Sequence, residues 1–372
     1  MPETARILRF PARPEAPLSA SAVLEASREY VRRLGDEGAV ARRAALLGRP
    51  DVLLSVCAIL REAVDGRAQD VCDEAVALYR SIIASEDTLG SFDEKDYFLG
   101  DAAFIAAMAS RVLGKRSDAE LWLDRSEAGF RHTVNPTPLL ANVTYQRLAL
   151  KCEEGRYAEV IEFAPMLAAS YAKLGMLREK GKCLLLEGLA LKQSGAHEAA
   201  IAKFEALNER YLVETDPGLV GLAMATLADI HAAAGRDDQV DAAYRLALPL
   251  LKQAKRPAAL AHLYSVVGET LRRQGRLKAA IRAYSASVES YNSLGMRTWV
   301  AYLRVVLAQA LIEAGQPREA EWQILAALPT IEAERMVPEG FAAVALLRES
   351  IRQRKADPAA LLELREYLQA KN

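Results

Sequence analysis

Apolar positions recur at three- and four-residue steps along most of the chain, the spacing that puts them on one face of an α-helix. Between Pro257 and Met296 two such stripes follow each other. Leu260, Leu263, Tyr264, Val267, Gly268 and Leu271 form the first, Leu277, Ala280, Ile281, Tyr284 and Val288 form the second, and Gly275 stands between them. This helix-turn-helix unit recurs, because turn glycines stand at Gly114, Gly155, Gly195, Gly235, Gly275 and Gly315, separated by one interval of 41 residues and four of 40. Seven residues before the glycine comes a small residue, Ala107, Gly188, Ala228, Gly268 or Ala308, where one helix must approach another closely. Five residues after it comes Ala119, Val160, Ala200, Val240, Ala280 or Ala320, and four further on a bulky residue, Leu123, Phe204, Tyr244, Tyr284 or Ile324. The Gly155 unit departs from this phase with Leu148 and Ala164. Two repeat tails echo each other as SYAKLGM, ending at Met176, and SYNSLGM, ending at Met296.

Four segments follow from the pattern. Residues 1–17 read as a flexible arm, since Pro11, Pro14 and Pro17 each remove a helical backbone donor. Residues 18–96 hold N-terminal helices and a degenerate first repeat, in which Ala75 and Tyr79 take the small and aromatic positions. Within them Ser85 to Asp96 reads as the longest loop; its carboxylates lack the alternation of a calcium loop, and Asp93 is expected to cap the next helix. Residues 97–336 hold six regular repeats, with Pro136, Pro217 and Pro257 at the starts of first helices and Asp216 as an N-cap. Residues 337–372 supply closing helices with a polar outer side.

The pattern of a small residue, the turn glycine, alanine and then an aromatic residue resembles the tetratricopeptide repeat, whose usual period is 34. The longer period is similar to that of bacterial regulatory proteins such as the sensor domain of the maltose-regulon activator and the Rap-type peptide receptors. The resemblance implies an all-α, right-handed superhelical solenoid of helix-turn-helix repeats, with the first helix of each pair lining a concave groove.

Composition narrows the function. Apolar residues make up 51% of the 372 and charged residues 26%, enough apolar material for a continuous core. With 48 basic against 49 acidic residues the net charge is −1, so neither nucleic acid nor an anionic membrane is expected to be held by bulk electrostatics. The first residues lack the apolar core of a signal peptide, and no run of 18 apolar residues occurs. A cytoplasmic protein is the expectation, with Cys57, Cys72, Cys152 and Cys183 reduced and acting as small apolar side chains. Oligomeric state is not set by any pattern in the chain.

Candidate chemistry is sparse. The four histidines, His132, His197, His231 and His262, form no metal-binding pair, and His231 reads as a satisfied core residue. Phosphate loops, dinucleotide fingerprints and nucleophile elbows are all missing, so neither a cofactor nor enzymatic activity is expected. Arg272, Arg273, Arg276, Lys278 and Arg282, and the Arg348, Arg352, Lys355 stripe, read as solvated faces, lacking interleaved aromatic residues for base stacking. Counting from the turn glycines, Phe104, Tyr145, Leu185, Ala225, Ser265 and Val305 take equivalent inward positions on the first helices. Taken with neighbours three residues earlier and four later, the groove candidates are Asn142, Tyr145, Lys182, Asp229, His262, Glu269, Tyr302 and Gln309. The expected activity is non-catalytic binding of a protein or peptide in this groove. The alternative is a ligand-responsive sensor that controls a transcription or signalling partner.

Overall fold

The computed structural model describes residues 20–33, 50–64, 66–84 and 92–354. The expected N-terminal arm, a short helix expected near residues 39–47, and the helix after Asp357 lie outside them. Among the described residues all regular structure is helical. In order, the helices are α1 (Ala20–Arg33), α2 (Pro50–Ala63), α3 (Ala68–Ala84), α4 (Phe92–Val112), α5 (Arg116–Arg131), α6 (Pro136–Glu153), α7 (Tyr157–Lys173), α8 (Leu177–Gln193) and α9 (His197–Glu205). There follow α10 (Arg210–Thr215), α11 (Pro217–Ala233), α12 (Asp237–Gln253), α13 (Pro257–Arg273), α14 (Leu277–Ser293), α15 (Arg297–Glu313), α16 (Pro317–Ala333) and α17 (Val337–Arg354). None of the helices is long and apolar enough to cross a membrane. The chain divides into two compact units after Leu186, within α8.

Helix length and turn are fixed together. Helices α7, α8 and α11 to α16 are each 17 residues long. A three-residue turn joins each consecutive pair in these runs, so the chain advances by one helix every 20 residues. At Gly275 the backbone enters the left-handed region with φ +72°. Gly275 N–H donates to the Arg272 carbonyl at 2.9 Å and Arg276 N–H to the Leu271 carbonyl at 2.9 Å, which satisfies two carbonyls the helix end would otherwise leave open. The same left-handed conformation occurs at Gly114, Gly155, Gly175, Gly195, Gly235, Gly295 and Gly315. At the two remaining turns of this kind it is carried by Lys255 and Arg335, each at φ +51. Gly175, Lys255, Gly295 and Arg335 close the second helices, a half-period that the spacing of the first-helix glycines alone did not reveal. The expected cap at Asp216 forms, its Oδ1 accepting from Leu219 N–H at 3.1 Å.

Packing explains the small and aromatic phase. A Cβ added at Gly268 would lie 2.8 Å from the Tyr284 ring, and one at Gly188 would lie 2.6 Å from Phe204. Each glycine thus lets the first helix of a repeat sit directly on the aromatic residue of the second. Ala119, Ala200, Ala280 and Ala320 are fully buried between helices. In the first unit Leu53, Leu60, Leu78, Ile82, Phe98, Ile105 and Phe130 belong to one core, and in the second Tyr284, Tyr291, Leu303, Leu311, Ile324 and Ile331 belong to another.

Charged side chains link successive repeats in the same phase. Arg111, three residues before its turn glycine, pairs with Glu153, two before the next, and Arg272 pairs with Glu313 at 2.8 Å in the same relation. Lys192, three before Gly195, reaches Asp229 instead. Arg273 donates backwards to the Ala232 carbonyl at 2.6 Å and to Asp237 at 3.1 Å. The basic cluster expected to be simply solvated is therefore held in part by carboxylates of neighbouring repeats.

Two features depart from the sequence pattern. Helix α4 begins at Phe92, so Asp93 lies inside its first turn and not at the cap, and residues 85–91 lie outside the described residues. The second helix of the Gly195 repeat is also interrupted, α9 ending at Glu205 and α10 starting at Arg210, with Glu209 extended at ψ 139. Sixteen residues after their turn glycines, Phe130, Tyr171, Leu251, Tyr291 and Ile331 are buried, whereas Tyr211 at the same phase is 40% exposed. The break puts Leu207 and Leu212 into the core in its place.

Two substitutions with opposite signs test this account. Lys255→Gly relieves a left-handed non-glycine residue and is expected to raise stability by about 0.5–1 kcal/mol. Gly268→Ala drives a methyl into the Tyr284 ring and is expected to lower it by roughly 1–3 kcal/mol. Urea midpoints of the two variants moving in the same direction would refute it.

Candidate functional site

The first unit contains a cavity of about 450 Å³. It is walled by Arg61 of α2, Tyr97, Asp101 and Phe104 of α4, Asn142 and Tyr145 of α6, Tyr171 of α7 and Lys182 of α8. First helices supply most of these groups because the 40-residue phase points equivalent positions the same way. Three of the candidates, Asn142, Tyr145 and Lys182, are brought together here, beside residues the sequence analysis did not select.

Polar groups in the wall are arranged in pairs. Arg61 forms an ion pair with the buried Asp101. Burial alone would depress the guanidinium, and the charge of Asp101 overrides it, so Arg61 stays charged beyond the ordinary arginine range. Burial, then Asp101, pushes the Cys57 thiol and the Tyr97 hydroxyl up, which keeps both protonated. Asn142 Oδ1 accepts from Tyr171 Oη at 2.8 Å, which commits the amide oxygen and leaves the NH₂ as its donor. Gln146 Oε1 accepts from Arg111 Nε at 3.1 Å. Burial raises Tyr145 to about 12, so its hydroxyl is neutral at physiological pH. Lys182 stands 3.8 Å from Glu179, a loose contact for an ammonium group.

The other candidates lie in the second unit, mostly in internal pairs. Asp229 is paired with Lys192. Glu269 accepts from Arg272 at 2.8 Å and from Tyr284 Oη at 2.8 Å, and Gln309 donates to Glu313 at 3.2 Å. Tyr302 is 41% exposed and meets the 46% exposed Trp299 edge-on, while Trp299 stacks on Tyr291 with centroids 5.6 Å apart. Of the inward column, Phe104, Leu185, Ala225 and Val305 are buried, and Ser265 donates to the His262 carbonyl at 2.7 Å. That column therefore serves the core more than a surface. His231 is buried as expected, but its Nδ1 has no hydrogen-bond partner among the described residues, so it is not satisfied. Burial is the first cause that lowers both His231 and His262; Arg236 adds to it at His231, while Asp229 opposes it at His262. No group of three or more metal-ligating side chains is found among the described residues.

No protein-family model and no curated protein matches the chain in sequence. Solved structures match it in shape. A Signal Transduction ATPase with Numerous Domains from Pyrococcus horikoshii, described as carrying a tetratricopeptide repeat sensor, aligns over 95% of this chain and 53% of its own, with 12% identity and a TM-score of 0.63. The fold is that of tetratricopeptide repeats. This chain spans about half the length of that protein. Aspartyl phosphate phosphatase F from Bacillus subtilis aligns over 95% of this chain and 96% of its own at 14% identity and TM-score 0.53. A Rap protein complexed with Competence and Sporulation Factor aligns over 94% and 100% at 12% identity and TM-score 0.50.

Within tetratricopeptide phase some missed residues were findable. Tyr171 stands sixteen residues after Gly155, a position shared with Tyr291, and both occupy equivalent places. Arg61 was not findable, because the degenerate first repeat gives it no register.

His262 provides a pH test. Its lowered pKa means that the unfolded chain takes up the proton first, so stability falls as pH drops below the unfolded value of about 6.5. His262→Gln removes this contribution, and its urea midpoint is expected to decline less than the wild type's between about pH 7.5 and 5.5. Parallel declines would show that burial of His262 is not linked to protonation.

Proposed function

We propose that the chain is a non-catalytic scaffold that binds a peptide or an extended segment of a partner protein in a groove of its first helices, around Asn142, Tyr145 and Lys182. The observation that carries this is the meeting of Asn142, Tyr145 and Lys182 on one cavity of about 450 Å³, within the size range of ligand sites. Its wall offers what an extended polypeptide needs. Tyr97, Phe104, Tyr145 and Tyr171 present aromatic surface to a side chain, the Asn142 amide can donate to a carbonyl, and Lys182 can meet a carboxylate. Asp229, His262, Glu269, Tyr302 and Gln309 share the phase and are the second unit's own candidates. Tyr302, beside the exposed Trp299, is the strongest anchor among them. The Rap protein among the structural neighbours was solved with Competence and Sporulation Factor, which supports a binding role for this fold.

A second reading is a sensor whose bound ligand controls a signalling partner. It is favoured by the neighbour whose repeats are described as a sensor within a larger ATPase. Both readings place the ligand on the same residues.

Selection from a displayed library of linear peptides, followed by affinity measurement on the purified chain, tests the proposal. Tyr145→Ala and Lys182→Ala together are expected to weaken a selected peptide tenfold or more, about the loss expected for an anchor and its charged neighbour. Arg348→Ala, on an exposed face of α17, is expected to leave affinity unchanged. Peptides that bind both variants as they bind the wild type would place recognition elsewhere.

A further inference from the structure

The chain has three tryptophans, and two of them are covered by an arginine of the chain itself. The Arg125 guanidinium lies 4.5 Å from the Trp122 ring centroid, and that of Arg304 lies 5.3 Å from the Trp322 centroid. Trp299, on α15 in the second unit, has no such cation among the described residues. Its indole lies against Tyr291, the two rings 12° from parallel, and Tyr302 stands nearly perpendicular to it, at 89° with centroids 6.1 Å apart. Trp299 is 46% and Tyr302 41% exposed, so two rings meet at a right angle in solvent.

The step of 40 residues puts a carboxylate beside them. Helix α15 begins at Arg297 and α17 at Val337, so Glu339 holds on α17 the position that Trp299 holds on α15. The two helices pack against each other. Packed helices stand about 8–10 Å apart, so a cation lying on the indole is close enough to Glu339 to be attracted at physiological salt. Glu339 is half-buried and has no hydrogen-bond or ion-pair partner among the described residues. Ala259 and His262 on α13 and Ala342 on α17 take the remaining equivalent places, and none of them carries a permanent charge.

An aromatic ring presents a negative face, and two rings at right angles with a carboxylate at hand favour a cation between them. Arginine suits the place better than lysine, because its planar guanidinium stacks on an indole while its N–H groups still reach a carboxylate. It is also the residue that covers Trp122 and Trp322. We propose that Trp299, Tyr302 and Glu339 form a subsite for an arginine side chain of the partner polypeptide. This rests on the reading that the ligand is a polypeptide and that Tyr302 is one of its anchors.

The test uses the full chain labelled with ¹⁵N, the Trp299 indole N–H signal being assigned from Trp299→Phe. Titration with the capped tripeptide acetyl-Gly-Arg-Gly-amide is expected to move that signal saturably. The same tripeptide with citrulline keeps the planar group and loses the charge. It is expected to bind roughly threefold or more weakly, the loss that an exposed cation–π contact and an exposed ion pair supply together. Glu339→Gln and Tyr302→Leu, both away from the buried core, are each expected to narrow the difference between the two tripeptides. Equal binding of the two by the wild type overturns the choice of a cation. A difference that either variant retains in full overturns the part assigned to that residue, and a signal that neither tripeptide moves overturns the site. Library peptides that move the Trp299 signal without containing arginine or lysine overturn this subsite and leave the scaffold reading standing.

Discussion

Helices α4, α6 to α8 and α11 to α16 are each followed by a residue with positive φ, and the bond from the residue beyond it back to the third-last carbonyl of the helix is the constraint on which the repeat depends. It fixes where one helix stops, it reverses the chain in three residues, and it sets the step of 20. Once the step is fixed, a residue and its equivalent in the next repeat face the same way. The small residue opposite an aromatic, the buried alanine and the shared orientation of Asn142 and Lys182 are then consequences of chain length and not separate inventions. Where the step is kept by Lys255 or Arg335 the bonds still form, at 3.2 and 3.0 Å for Lys255 and Arg256 and at 3.2 and 2.9 Å for Arg335 and Met336. The hydrogen bonds outrank the steric preference of the residue.

The Gly195 repeat shows what happens where the step fails. Its second helix breaks, Tyr211 is exposed at the phase at which Tyr171 and Tyr291 are each buried, and Leu212 takes the interior instead. Burying a leucine in place of tyrosine avoids finding a partner for a hydroxyl, a demand that Tyr171 meets with Asn142. The exchange exposes an aromatic ring and opens space beside His231.

The helical register, the turns and the buried small residues were legible because they obey a period, and a period is a property of the sequence itself. The N-cap at Asp216 was legible for the same reason, its chemistry being local. The break after Glu205 was not, since Leu207 and Asn208 carry no proline or glycine and the choice between Tyr211 and Leu212 is made by tertiary packing. The wall of the first cavity was half legible. Asn142, Tyr145 and Lys182 stand in phase, but Arg61, the ion-pair partner of Asp101, enters from a repeat too degenerate to count. Glu269 looked like a ligand contact from its position alone, although its oxygens already serve Arg272 and Tyr284.

The ion pairs between successive repeats carry one more implication. Arg111 finds a carboxylate at Glu153 and Arg272 at Glu313, yet Lys192 finds its own at Asp229, on a different turn of the following helix, and Arg273 reaches back to Asp237. The backbone keeps one step through the regular helices, whereas these charges pair in more than one relation, Arg111 and Arg272 in one and Lys192 in another. Exchanging the Gly195 repeat with another would keep a turn glycine in place while taking Lys192 away from Asp229. The chain is therefore repetitive in its backbone and ordered in its charges, and the sequence of its repeats is a fixed arrangement, like words in a sentence and unlike links in a chain.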